Sequence, residues 1–214
     1  MVDTTEPLEV VAGLDCAAAG DDYLVFMVGA VYADRVRIAA QYRRQKVTMA
    51  VALDTIAAMV RKYRIDRIVV ETTGGVGELY REEIERRPVI EAVAIGVSTT
   101  ATSKPLAIER LTLFLERQLI DVPPQNTIVA EELHEFQRNG KKLEAAKGSH
   151  DDTVMALAFL ISVVDLEPLE QLDREPRAAT ATPPPRQFAT RPSTVGRRTG
   201  SPRLSGGRTR WRNR

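Results

Sequence analysis

Residues 8–42 read LEVVAGLDCAAAGDDYLVFMVGAVYADRVRIAAQY, and this stretch decides the fold. Leu8–Leu14 is a short apolar run bounded by a small-residue, acidic loop, DCAAAGDD at 15–22, which predicts a mostly buried strand ending at Asp15. Tyr23–Tyr32 (YLVFMVGAVY) is rich in β-branched and aromatic side chains, which pack well on a pleated surface, and predicts a second strand. Val36–Tyr42 places Val36, Ile38 and Ala40 on one face at a period of two, predicting a third strand hairpin-paired with the second across Ala33–Arg35.

Beyond this stretch the apolar period shifts toward that of a helix. Thr48–Tyr63 carries an apolar stripe widened by Leu53, Ile56 and Val60, and predicts a helix. Ile68–Val70 is a short strand ending at Glu71, and Thr72–Gly77 is a glycine-rich turn. Glu78–Arg87 predicts a helix stopped by Pro88, and Val89–Val97 a further strand. Ser103–Leu119 predicts a helix with Pro105 in its first turn, where a missing N–H is tolerated. Asn126–Arg138 predicts a polar-faced helix and Ser149–Val164 a mostly buried one. Three strands followed by alternating helix and strand define an α/β class: a mixed sheet, with a three-strand antiparallel meander, parallel strands joined by helical crossovers, and flanking helices.

Three acidic positions stand out in this arrangement. Asp15 ends the first strand, Glu71 ends the strand at 68–71, and Asp151 and Asp152 open the last buried helix. Parallel neighbours deliver their C-terminal ends to one sheet edge, where sites usually form. If the strands at 8–14 and 68–71 are neighbours, Asp15 faces Glu71, and a helix packed on the sheet adds its first-turn acids. Two unit charges about 4 Å apart repel by roughly 4 kcal/mol at an effective dielectric of 20, so such a cluster needs a proton or a cation. Oxygen-only ligands select hard cations, which points to Mg²⁺ or Mn²⁺. A pair of such ions suits phosphodiester hydrolysis. The only histidines are His134 and His150, so no zinc cluster is expected. Plainer roles compete: Asp15 as a turn residue, and Ser149 to Asp152 as a helix capping box.

Composition sets further bounds. Of 214 residues, 43% are hydrophobic, enough for an ordinary core, and the net charge is +1. From Arg177 onward there are ten arginines and neither lysine nor acidic residue, so residues 1–176 carry about −9. An acidic body at 1–170 is therefore expected to precede a Pro/Arg-rich tail at 171–214 that buries too little apolar surface to fold alone. The single cysteine, Cys16, excludes an internal disulfide and reads as a small buried residue. No secretory signal and no membrane-length apolar run is found, so a cytoplasmic protein is expected.

The segments LDCAAAGDDYLV, VVETTGGVGELY, SKPLAIERLTLFL, EELHEF and GSHDDTVMALAF occur in this order. Together they resemble the nuclease domain of phage and prophage terminase large subunits, over roughly residues 8–165, with HDDTVMAL the most specific piece. The resemblance implies a ribonuclease-H-like fold and metal-dependent cleavage of double-stranded, concatemeric viral DNA during packaging. It implies two divalent ions, Mg²⁺ or Mn²⁺, held by Asp15, Glu71, Asp151 and Asp152, without saying which of the last two is the inner ligand. It also implies a terminase ATPase subunit, small terminase subunit or portal as partner. No G-x-x-x-x-G-K-[ST] phosphate loop occurs, so nucleotide binding is not expected of this chain, nor is a membrane partner.

Candidate DNA contacts follow from the basic residues. Lys104 opens the helix at 103, and Lys141, Lys142 and Lys147 flank the loop before His150. In the tail, Arg197, Arg198, Arg208 and Arg210 are candidates for phosphate contacts, with Trp211 among them able to stack on a base. Asp22, in the loop after Asp15, could approach the acidic cluster but reads more readily as a solvated loop residue, and His150 reads as polar surface. A Holliday-junction resolvase of the same fold, and an inactive DNA-binding or scaffold module, are the alternative readings.

Overall fold

The computed structural model describes residues 6–16, 22–139, 142–145 and 150–165. Its main sheet begins with the expected meander: β1 (Glu9–Asp15), β2 (Leu24–Val31) and β3 (Val36–Arg44), paired antiparallel in succession. Then follow α1 (Met49–Tyr63), β4 (Arg67–Glu71), α2 (Val76–Arg86), β5 (Val93–Val97), α3 (Ser103–Glu116) and β6 (Ile120–Asp121). The chain continues through α4 (Thr127–Glu135), β7 (Phe136–Asn139), β8 (Lys142–Ala145) and α5 (Asp152–Ser162). Strand order in the six-stranded sheet is β5-β4-β1-β2-β3-β6, with β4 parallel to both β1 and β5. This is the mixed α/β sheet that the meander and crossovers imply, and it agrees with the ribonuclease-H-like fold that the resemblance implies.

Helices cover both faces. On one, Leu53 and Ile56 of α1 and Tyr80 and Ile84 of α2 pack with Leu14, Phe26 and Ile68. On the other, Leu111 and Phe114 of α3 and nearly all of α5 pack with Val11, Met27 and Val69. A strand covered on both sides reads as a continuous apolar run rather than an alternating one, which is why LEVVAGL shows no period of two. Helix α5 is buried from Thr153 to Ile161 because it crosses the middle of the sheet.

Two glycines set the depth of this packing. A Cβ on Gly13 of β1 would lie 2.0 Å from the Ala156 carbonyl oxygen and 2.8 Å from the Leu160 nitrogen, so α5 rests directly on the strand backbone. A Cβ on Gly77 would lie 1.5 Å from the Glu71 carbonyl oxygen, so the first turn of α2 presses against the end of β4.

Several boundaries differ from the sequence expectation. The strand expected at Val89–Val97 is confined to β5, because residues from Pro88 to Ala92 turn, with the Ile90 N–H donating to the Arg87 carbonyl. The helix expected at Asn126–Arg138 ends at Glu135, and Phe136–Asn139 instead pairs with β8. The sequence FQRN has no apolar stripe to tell helix from hairpin, so only the partner strand decides. Helix α3 stops at Glu116, and Gln118, at φ 56, redirects the chain into β6, which pairs with β3 at Val36↔Ile120 and Arg37↔Asp121. Two residues are too short a strand to show a pattern. Residues 166–214, which include the expected tail, lie outside the described residues.

Candidate active site

The register of β1 and β4 runs in parallel to Leu14↔Val70. Asp15 and Glu71, the last residues of these strands, therefore leave the sheet at the same edge. Next to them, β5 ends opposite Glu71 at Val97 and runs into Ser98 and Thr99. Helix α5 reaches the same edge from above. From the Gly13–Ala156 contact, two strand residues lead forward to Asp15 and four helical residues lead back to Asp152, about 6–7 Å along either path.

Burial pushes the Asp15 carboxyl well above its ordinary range, and Asp152, Glu71 and Asp151 push it further, in that order, against a smaller opposing pull from Lys104. Asp15 has no hydrogen-bond or salt-bridge partner among the described residues. Asp152 is pushed up to about 6, mainly by burial, against the hydrogen bond from the Tyr23 N–H, while Asp151, Asp22 and Glu132 add to the rise. Its Oδ2 accepts from the Tyr23 N–H at 3.3 Å and lies 3.5 Å from His150 Nδ1. Asp151 Oδ2 accepts from Lys104 Nζ at 3.0 Å. Glu71 Oε1 accepts from Thr99 Oγ1 at 2.5 Å and from the Thr73 N–H at 3.1 Å.

The four expected acids thus share one edge, and Lys104 stands among them. They do not already enclose an ion: among the described residues, no three His, Cys, Asp or Glu side chains form a group that could hold a metal ion. The donor chemistry nonetheless fits a hard divalent cation. The acids are all oxygen donors, Asp15 lies beside the like charges of Asp152, Glu71 and Asp151, and mutual repulsion is relieved by added positive charge.

Other expected residues fall as follows. Asp22 is exposed and adds negative charge at Asp152. His150, read from sequence as polar surface, also packs edge-on against Tyr23, with ring centroids 4.9 Å apart. Cys16 is only half-buried, because it follows the strand end rather than lying within it. The capping-box register is not adopted: Asp152 is the first helical residue of α5, and Asp151 sits at the N-cap without a side-chain cap bond. Lys142 opens β8. Ser149, Lys141, Lys147, Arg197, Arg198, Arg208 and Arg210 lie outside the described residues.

With this geometry in place, the model of the terminase RNaseH-like domain matches residues 12–162. The chain belongs to the terminase RNaseH-like domain family. Among solved structures, the zinc-bound large terminase nuclease from thermophilic phage G20c is 26% identical, with a TM-score of 0.58 over 76% of this chain and 87% of that one. The magnesium-bound form of the G20c nuclease is 24% identical, with a TM-score of 0.61 over 75% and 86%. The g2p large terminase nuclease domain from bacteriophage SPP1, solved with manganese, is 19% identical, with a TM-score of 0.53 over 72% and 85%. Comparison with curated proteins gives no match.

In this terminase RNaseH-like domain, the sequence reading missed the groups that support the acids. Thr99 and Thr73 hold Glu71, and Thr73 Oγ1 also lies 2.8 Å from Thr99 Oγ1, tying the turns after β4 and β5 together. Arg43 and Glu132 lie behind Asp152, with Arg43 Nη2 donating to Glu132 Oε1 at 2.8 Å. A run of threonines after a strand was the only available signal for Thr99, and it did not say which acid they serve.

Proposed function

We propose that this chain is a metal-dependent endodeoxyribonuclease that cleaves double-stranded viral DNA during genome packaging, with Asp15, Glu71, Asp151 and Asp152 holding two divalent ions, Mg²⁺ or Mn²⁺. The observation that carries the reading is the shared edge at which Asp15, lacking a partner among the described residues, faces Asp152 and Glu71. Relatives named as terminase nucleases, with magnesium, zinc or manganese bound, support it. Held by these acids, divalent ions would polarise the phosphate and activate a water for attack.

The protein residues divide the remaining work. Asp15 and Asp152 offer the buried, charge-starved oxygens. Glu71 is oriented by Thr99 and Thr73. Lys104 neutralises Asp151 and stands where a DNA phosphate would arrive, so it serves as a phosphate contact, with Lys141, Lys142 and Lys147 and the tail arginines Arg197, Arg198, Arg208 and Arg210 extending the basic path. Residues 1–170 form the nuclease unit and 171–214 a DNA-binding arm. Its partners are DNA and a terminase ATPase subunit, small subunit or portal, in the host cytoplasm.

Plasmid nicking with Mn²⁺ tests this reading. Asp15→Asn and Glu71→Gln should each reduce cleavage by a factor of about a thousand or more while the protein stays folded, in line with loss of the metal's contribution to the barrier. Cleavage at the wild-type rate by either variant overturns the assignment.

A further inference from the structure

Helix α5 begins with two acids, and the first exposed N–H groups of a helix are normally capped by a side chain at the N-cap. Asp151 occupies that position and makes no such bond. Its carboxylate instead faces Lys104. The cap comes from a different helix. Glu132 of α4, only 5% exposed, directs Oε2 to the Thr153 N–H at 2.8 Å. Its other oxygen, Oε1, accepts from Arg43 Nη2 of β3 at 2.8 Å.

Arg43 in turn lies over the Tyr23 ring, 3.2 Å from its centroid, and the Tyr23 N–H donates to Asp152 Oδ2. The first turn of α5 is therefore gripped from two sides through one guanidinium. Holding it there leaves Arg43 Nε buried without a hydrogen-bond partner. A buried ion pair with an unsatisfied donor is weak support for stability, since apolar residues of similar volume often serve as well or better.

We propose that the Arg43–Glu132 pair is a positioning unit: Glu132 caps α5 in place of Asp151, which releases the Asp151 carboxylate from capping and lets it turn to Lys104 at the acid edge, while Arg43 balances Glu132 and seats Tyr23 against Asp152. The inference rests on the metal-dependent reading above. Outer groups that orient metal ligands commonly change metal affinity or activity by 10- to 100-fold when removed.

The test compares the intact chain with Glu132→Gln and with the double variant Arg43→Met/Glu132→Met, which replaces the pair by apolar groups of similar length and so avoids a lone buried charge. Three readouts are taken: the thermal midpoint, Mn²⁺ binding by calorimetry, and hydrogen exchange at the Thr153 amide. The double variant is expected to stay folded with an unchanged or higher midpoint, to exchange Thr153 at least tenfold faster, and to bind Mn²⁺ about tenfold or more weakly. Glu132→Gln keeps an acceptor for Thr153 and should recover most of the amide protection. A double variant with wild-type Mn²⁺ affinity and wild-type Thr153 protection overturns the inference, provided that Asp15→Asn does lose Mn²⁺. If the wild-type chain binds no Mn²⁺ at all, the metal-dependent reading fails and this inference fails with it.

Discussion

Gly13 of β1 and Ala156 of α5 meet backbone to backbone: a Cβ on Gly13 would stand 2.0 Å from the Ala156 carbonyl oxygen. That contact fixes the height and register of α5 over the sheet, and with it the distance from Asp152 to Asp15. Gly13→Ala is therefore expected to lower stability by about 3 kcal/mol or more, at the upper end of overpacking penalties, because the obstacle is helix backbone and not a flexible side chain. Urea denaturation measures this, and a variant with an unchanged midpoint would contradict the packing described.

The acid edge should make the metal-free protein less stable as pH rises. Burial and neighbouring acids raise the Asp15 and Asp152 carboxyls above their ordinary values, Asp152 to about 6. The folded chain then binds protons more tightly than the unfolded chain. The stabilisation from protonation is fully present only below the ordinary carboxylate value and is lost progressively as pH rises from there through about 6 for Asp152. Between pH 5 and 7.5, stability should fall by about 1 kcal/mol from this group, and Asp152→Asn should remove that fall. Saturating Mg²⁺ should also flatten the profile. A metal-free stability that rises across this range in the wild type, unchanged in Asp152→Asn, would rule out the electrostatic account.

Lys104 Nζ lies 3.0 Å from Asp151 Oδ2 and is the cation that opposes the rise at Asp15. An arriving divalent ion competes with it for Asp151. Lys104→Gln should tighten Mn²⁺ binding by a few fold and slightly lower metal-free stability, by roughly 1 kcal/mol or less for a partly exposed pair. It should also weaken DNA binding at fixed Mn²⁺. Tighter Mn²⁺ binding by wild type than by the variant would show that Lys104 does not compete for Asp151.

Removing residues 177–214 takes away ten arginines. Mn²⁺ affinity should be unchanged, because the acids all precede the cut. Affinity for linear duplex DNA should drop at low salt, and its dependence on salt concentration should become shallower, since fewer phosphates are neutralised. Equal salt slopes for the two proteins would remove the tail from the DNA interface.

The meander was legible because its apolar runs are long and its turns polar, whereas Asp15 beside Glu71 was expected only if their strands were neighbours, which the parallel pairing of β1 with β4 supplies. Each acid on its own also had a plainer role, Asp15 as a turn residue and Asp151 and Asp152 in a helix cap, and only their convergence on one sheet edge set them apart. The hairpin of β7 and β8 was not legible: a short polar stretch carries no apolar period, and pairing depends on partners three to nine residues downstream. Nor was the role of Glu132 legible. In EELHEF it looks like any helix-surface acid, and only the fold places it at 5% exposure beneath the first turn of α5.

Gly77 has no functional group, yet its missing methyl is what lets α2 close to within contact of the Glu71 carbonyl. A saturation screen for DNA cleavage should accordingly recover loss-of-function alleles at position 77 as readily as at Glu71 itself. Revertants of those alleles should be hard to find, because the neighbour they would have to trim away is main chain.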